Sequence, residues 1–321
     1  MKLGIMMALF GGISLDKALD RAAQMKLDTV EISAGNYPGG SHCPLKALVA
    51  SKAKARQWAK KVTDRGLEIS ALACHGNPLH PNKAIARKHH EVWRDAVKLA
   101  SMIGLDTITC FSGCPGGSDR DKYPNWVVCS WPTDFQEVLD WQWSKKIIPY
   151  WKREARYAAD HGVKVAFEMH QGMSVYNTDT LLRLRKECGN NLGANFDPSH
   201  LFWQGMDPLA CIRRLGKSRI YHVHAKDTRI DPQNAAVNGT LDTKSYADVL
   251  DRSWVFRTVG YGHGADWWRE FITALRMVGY DGVISIEHED SLMSVSEGFT
   301  KAVELLREVM TTEKPGAMWW A

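Results

Sequence analysis

Along this chain short apolar runs alternate with longer stretches in which apolar residues recur every three or four positions. The first pattern predicts buried strands, and the second predicts amphipathic helices packed against them. Strands are predicted over 3–9, 29–34, 68–74, 106–111, 164–169, 193–196, 220–225 and 282–286. Helices are predicted over 15–25, 54–65, 83–103, 135–160, 179–187, 208–215, 267–278 and 296–310. Ser14 supplies an N-cap for the first helix. Gly66 and Gly104 supply stops for the second and third, and Pro149 should interrupt the long helix 135–160. Eight strand-then-helix units predict a single (β/α)8 TIM barrel over residues 1–321. An open doubly wound sheet fits less well, because Phe10–Gly11–Gly12–Ile13 after the first strand lacks the spacing of a dinucleotide-binding turn.

Two connections are too long to be plain turns. Residues 112–133 follow the fourth strand and 227–265 follow the seventh. Both read as irregular loops that shape a pocket. The tail, 310–321, ends in Met318, Trp319 and Trp320, and is expected to dock on the barrel or on a partner subunit.

Composition narrows the class. The net charge of +5 is spread without a dense Lys/Arg block, which gives no case for nucleic-acid or membrane binding. No apolar run approaches the roughly 20 residues of a membrane span, and no cleavable leader is visible before the first strand. The seven cysteines are irregularly spaced and odd in number, as expected of reduced thiols in a cytoplasmic protein. The thirteen tryptophans are expected mainly in the core and at an oligomer interface, with some offering flat faces to sugar C–H groups.

Chemistry is concentrated where strands end. The run 163–167 stops at Glu168, followed by His170. The run 193–196 stops at Asp197, followed by His200. The run 220–223 leads to His224, Lys226 and Asp227, and the run 283–286 to Glu287, His288, Glu289 and Asp290. The C-terminal ends of barrel strands share one face, so Glu168, Asp197, His224 and Glu287 should converge. Three carboxylates and one imidazole form a hard ligand set for one divalent ion, with Mn²⁺ first and Mg²⁺, Co²⁺ or Zn²⁺ as alternatives. Such closely held acids would repel one another without a cation. By strand parity His222 lies on the same side as His224 but one layer deeper, as an orienting group or a packed core histidine. Glu289 and Asp290 are expected to bind loop backbone.

These motifs resemble the sugar phosphate isomerase/epimerase family, the xylose isomerase-like barrels. The resemblance covers nearly the whole chain. It is carried by Phe167–Glu168, Asn195–Phe196–Asp197–Pro198–Ser199–His200, His222–Val223–His224–Ala225–Lys226–Asp227 and Ser285–Ile286–Glu287. It implies that Glu168, Asp197, His224 and Glu287 bind one metal ion, that the two glutamates exchange protons with substrate carbon, and that His200 touches substrate. Ketose epimerases carry an arginine a few residues after the metal-binding histidine. In its place Lys226–Asp227 begin the long insertion, and 254–264 with 287–290 resemble a subset that includes catalytic subunits of C-glycoside deglycosidases. That likeness implies action on keto-glycosides and a small second subunit.

The expected activity is therefore a metal-dependent sugar isomerase or epimerase working through an enediolate, with a lyase acting on 3-keto-glycosides as the alternative. Catalytic roles are expected for Glu168, Glu287, His170 and His200, and substrate contacts for His75, His200, His222, Lys226, Trp254 and Arg257. A small-molecule sugar or glycoside is the expected partner, with a second subunit or a homo-oligomer. An endonuclease reading, which would recruit His75 and Glu31 as further ligands, is weakened by the ligand-poor early strands. A non-catalytic sugar-binding barrel is disfavoured by the intact ligand quartet.

Overall fold

The computed structural model describes residues 1–313 and 316–320. In chain order, β1 (Lys2–Met6) and α1 (Leu15–Gln24) lead to β2 (Thr29–Ser33). Helices α2 (Leu45–Val49) and α3 (Lys52–Thr63) precede β3 (Glu68–Ala73), and α4 (Lys83–Ile103) precedes β4 (Thr107–Cys110). Next come α5 (Thr133–Trp141), α6 (Ile148–Asp160), β5 (Lys164–Glu168), α7 (Thr178–Cys188) and β6 (Leu192–Phe196). They are followed by α8 (Ser199–Phe202), α9 (Pro208–Leu215), β7 (Ile220–Ala225), β8 (Asp227–Ile230), α10 (Pro232–Asn238) and β9 (Trp254–Arg257). The chain then forms α11 (Ala265–Met277), β10 (Val283–Ile286) and α12 (Val295–Val309). Eight of the strands close into a parallel barrel in the order β1-β10-β7-β6-β5-β4-β3-β2.

The strands read as near-continuous apolar runs because both their faces are covered, one by the helices and one by the barrel interior. β2, β4 and β6 are buried at every position. The helices carry their apolar faces inward. In α4, His89, Trp93, Ala96, Val97, Leu99 and Ala100 are buried, and Gly104 ends the helix in the left-handed region at φ 77°, which a residue without Cβ adopts freely. Ser14 accepts from the Lys17 amide as the N-cap of α1.

The predicted helix over 135–160 is instead three consecutive segments, with a π-helical turn at Gln142–Ile147 between α5 and α6. Pro149 stands in the first turn of α6, where its missing N–H is tolerated, so the distortion falls just before it. The first strand ends earlier than its apolar run, because Met7–Phe10 turns as a 3-10 helix.

The long connection after β7 departs most from expectation. It is partly regular: β8 and β9 pair antiparallel, Asp227 opposite Arg257 and Ile230 opposite Trp254, with α10 between them. The short helices α2 and α8 were also not anticipated. Residues 111–132 form neither helix nor strand.

At the tail, Arg276 donates to the carbonyls of Thr311 and Glu313 at 2.8 and 2.6 Å. The expected docking of the tail on the barrel does not extend to Met318, Trp319 and Trp320, which are exposed; the two indoles pack edge to face on each other. Lys314, Pro315 and Ala321, also part of that tail, lie outside the described residues. All seven cysteines are free. Among the described residues no helix is long and apolar enough to cross a membrane.

Candidate active site

The C-terminal ends of β5, β6, β7 and β10 bring Glu168, Asp197, His224 and Glu287 together. One ligand atom from each lies within 4.8 Å of all the others. His224 Nδ1 faces the acids, at 3.4 Å from Glu168 Oε2, 3.2 Å from Glu287 Oε2 and 4.0 Å from Asp197 Oδ2. Glu168, Asp197 and His224 are almost wholly buried, whereas the Glu287 side chain keeps 18% of its exposure and faces the opening.

Three of these side chains are held by a second layer. The Glu168 carboxylate meets His200 Nε2 at 3.0 Å on one oxygen, and His75 Nε2 at 3.1 Å and the Asn195 amide at 3.2 Å on the other. Asp197 Oδ1 accepts from the Ser199 amide at 2.8 Å. His224 Nε2 lies 2.8 Å from Glu31 Oε2.

The electrostatics follow from this crowding. Burial opposes ionisation of Glu168, yet His75, His200 and His224 hold its pKa well below the usual carboxylate value. Burial likewise opposes protonation of His224, but Glu31 and Glu287 raise its pKa well above that of a free imidazole. Lys226 is buried and still strongly cationic, because Glu287, Glu289 and Asp197 surround it. Its Nζ sits 2.9, 2.8 and 3.5 Å from them.

Asp197 Oδ2 tests the fit to a cation. It is buried without a hydrogen-bond donor, and burial raises the Asp197 pKa against the pull of Lys226 and His200, each 3.5 Å away. A buried carboxylate oxygen left without a donor, facing two further carboxylates and an imidazole nitrogen, is the donor set that a hard divalent ion completes.

A cavity of about 390 Å³ opens onto this cluster. It is lined by Tyr37, His75, Phe111, Glu168, His170, Met173, Lys226, Glu287 and Glu289, together with Met6, Ala8 and Pro38. His170 and Glu289 also line an adjoining chamber of about 370 Å³ whose other walls are Tyr246, Val255, Phe256 and Ser291. The antiparallel pair β8–β9 roofs this region. Its Phe256 lies 4.5 Å from Lys226 Nζ and 5.3 Å from the His200 ring, and Thr228 ties it down by donating to the Ser199 carbonyl. His170 packs between Phe111 and His200, and burial lowers its pKa to about 3, assisted by His200.

The structure redistributes several expected substrate contacts. His75, His170, Lys226 and both glutamates reach the cavity, and His200 stands directly behind Glu168. His222 does not reach it: the ring is buried below His224, 3.0 Å from Asn195 Oδ1 and 3.3 Å from Ser70 Oγ, because it lies two residues deeper along β7. Arg257 turns away to pair with Asp290 at 3.0 Å, where β9 packs on the loop after β10. Trp254 stacks on Trp203 at 5.1 Å and lines a separate hollow with Trp126 and Arg252. Asp290 binds loop backbone at Thr258 and Leu292, as expected, but Glu289 binds Lys226 instead. The residue whose weight was missed is Glu31. An acid inside the apolar run 29–34 was its signal, because a buried strand carboxylate needs buried donors.

Fold and site together define a closed parallel barrel with a three-acid, one-histidine cluster at its open end. The chain matches the model of the xylose isomerase-like TIM barrel family over residues 19–309, and it belongs to that family. It is similar to the uncharacterized protein YfiH of Bacillus subtilis, with 38% identity over 97% of this chain and 100% of the relative. It also resembles an inosose dehydratase of Geobacillus thermodenitrificans, with 27% identity over 47% of this chain and 49% of the relative. Among solved structures, a D-tagatose 3-epimerase-like protein superposes with a TM-score of 0.63 at 21% identity, covering 96% of this chain and 98% of that one. An IolI protein crystallised with a zinc atom superposes with a TM-score of 0.64 at 15% identity, covering 97% of this chain and 100% of that one, a likeness of fold.

Proposed function

We propose that this protein is a divalent-metal-dependent sugar isomerase or epimerase that moves a proton next to a carbonyl. The observation that carries the proposal is the convergence of Glu168, Asp197, His224 and Glu287 beside a small cavity, with Asp197 Oδ2 lacking a donor. A divalent ion held by these four would supply Lewis-acid polarisation of a substrate carbonyl.

The chain's own residues supply the rest. Glu168 and Glu287 are ionised and are the carboxylates available to accept a proton from substrate carbon. Glu287, the more exposed of the two, borders the cavity beside Lys226, whose ammonium offsets charge as the proton moves. His170, neutral at physiological pH, and His75 line the same cavity and orient hydroxyls. Return of the proton to the other face or to the neighbouring carbon gives epimerisation or isomerisation. The small cavity matches a monosaccharide unit, and relatives named for an inosose and a ketohexose support a sugar substrate.

A second reading, a lyase acting on keto-glycosides, is favoured by the adjoining chamber walled by Tyr246, Val255 and Phe256, which offers room beyond one sugar ring. It also agrees with a relative named as a dehydratase. In it, the same carbanionic species expels a substituent from the carbon beta to the carbonyl. We extend the proposal to cytoplasmic location.

The test is to incubate metal-loaded protein with keto-sugars and 3-keto-glycosides in D₂O. Deuterium appearing beside the carbonyl without loss of a substituent supports the isomerase. Release of the substituent supports the lyase. No exchange and no release across the panel refutes both.

A further inference from the structure

Below the cluster that faces the cavity lies a second polar layer to which the proposed reaction assigns no role. Its centre is Glu31, wholly buried at the middle of β2. Three donors converge on its carboxylate from three other strands. Thr109 Oγ1 of β4 donates at 2.5 Å, Ser285 Oγ of β10 at 3.1 Å, and His224 Nε2 of β7 stands at 2.8 Å. Thr109 takes one oxygen, and Ser285 and His224 share the other. A carboxylate fixed from three sides cannot follow a moving ring, so the ring must follow it.

We infer that Glu31 is a positioning residue: it keeps the proton of His224 on Nε2 and so leaves Nδ1 as the nitrogen offered to a divalent ion. This rests on the metal-dependent reading proposed above. The geometry supports it on both sides of the ring. Both Glu31 oxygens already accept from hydroxyls, Thr109 on one and Ser285 on the other, so the carboxylate serves as an acceptor and the nitrogen at 2.8 Å is its donor. The opposite nitrogen, Nδ1, is the one that faces Glu168, Asp197 and Glu287. A carboxylate behind a ligating imidazole fixes its tautomer and rotation and increases its basicity. His222 stands farther off, 4.0 Å from the same Glu31 oxygen, with its nitrogens 3.0 and 3.3 Å from Asn195 and Ser70.

The test uses the full-length protein, Zn²⁺ as a diamagnetic probe, and two readouts independent of turnover. The first is ¹⁵N–¹H correlation of the histidine rings with Zn²⁺ bound. A proton retained on His224 Nε2 with a metal-shifted Nδ1 is expected; a proton on Nδ1 overturns the inference. The second is Zn²⁺ affinity by competition titration. Glu31→Gln keeps the shape and removes the charge, and affinity is expected to fall about 10- to 100-fold, the usual range for losing such a partner. An affinity within twofold of wild type, in a variant that unfolds at the wild-type temperature, overturns it. Should Glu31→Gln fail to fold, Ser285→Ala removes one donor from the same oxygen. It is expected to weaken Zn²⁺ about two- to tenfold, as for one hydrogen bond, and an unchanged affinity there also overturns the inference. Wild-type protein that binds no divalent ion would refute the metal reading itself, a result distinct from normal binding that is indifferent to Glu31.

Discussion

Replacing Asp227 tests how the insertion is anchored over the site. This carboxylate, next to Lys226, is wholly buried at the first position of β8. Its Oδ2 accepts from the amides of Gly260, Gly262 and His263 at 3.1, 3.1 and 2.8 Å and from Trp268 Nε1 at 3.3 Å. Its Oδ1 accepts from the Thr228 amide at 2.9 Å and meets His263 Nδ1 at 2.8 Å. The loop is pressed so closely on it that a Cβ at Gly262 would collide with Asp227 Oδ1.

In Asp227→Ala the donors in the partly exposed loop, at Gly260, Gly262 and His263, can recover water. The Thr228 amide and the Trp268 indole are fully buried and cannot. At about 1–3 kcal/mol for each buried donor left unpaired, the loss is about 4 kcal/mol. Asp227→Asn retains one acceptor oxygen but turns an NH₂ toward two donors, for a loss of about 2 kcal/mol on the same scale. Thermal unfolding monitored by circular dichroism should therefore rank wild type above Asn above Ala. At about 2 °C per kcal/mol for a chain of this size, the Ala variant should melt about 8 °C lower. An Ala variant within 2 °C of wild type, taking ~2 °C as the equivalent of one kcal/mol, would refute the claim that this carboxylate holds the loop.

Adding Mn²⁺ to chelator-treated protein should raise its melting temperature, by the equivalent of about 2.7 kcal/mol at a hundredfold excess over Kd, and Asp197→Asn should abolish the rise in a thermal-shift titration. Glu168→Gln and Glu287→Gln should each slow deuterium exchange into substrate by at least about 100-fold; full exchange in either, measured by NMR, removes that residue from the proton transfer. Lys226→Met leaves Glu287, Glu289 and Asp197 without their shared cation and should destabilise the metal-free protein by about 3–5 kcal/mol, read in denaturant unfolding. Burial pushes the thiols of Cys43, Cys114 and Cys188 up to about 12 and that of Cys211 to about 11, so at pH 8 they stay protonated and unreactive. A chromogenic disulfide reagent should therefore titrate the exposed Cys129 rapidly in the native protein and all seven thiols after denaturation.

The sequence by itself determined the barrel and the four side chains that gather at its open end. A strand covered on both faces must be apolar along its length, so the runs ending at Glu168, Asp197, His224 and Glu287 stood out, and parallel strands deliver their ends to one face. It could not determine what depends on distant partners. Arg257 and Trp254 lie in an insertion whose antiparallel pairing sends one to Asp290 and the other to Trp203, and no local period encodes that choice. His222 and His224 share a face of β7, and only the depth of the barrel separates the ring bound to Asn195 from the ring beside the acids. Glu31 was visible as an acid in an apolar strand. Its meaning lay in Thr109, His224 and Ser285, residues far away in the chain that barrel closure alone brings within hydrogen-bonding distance.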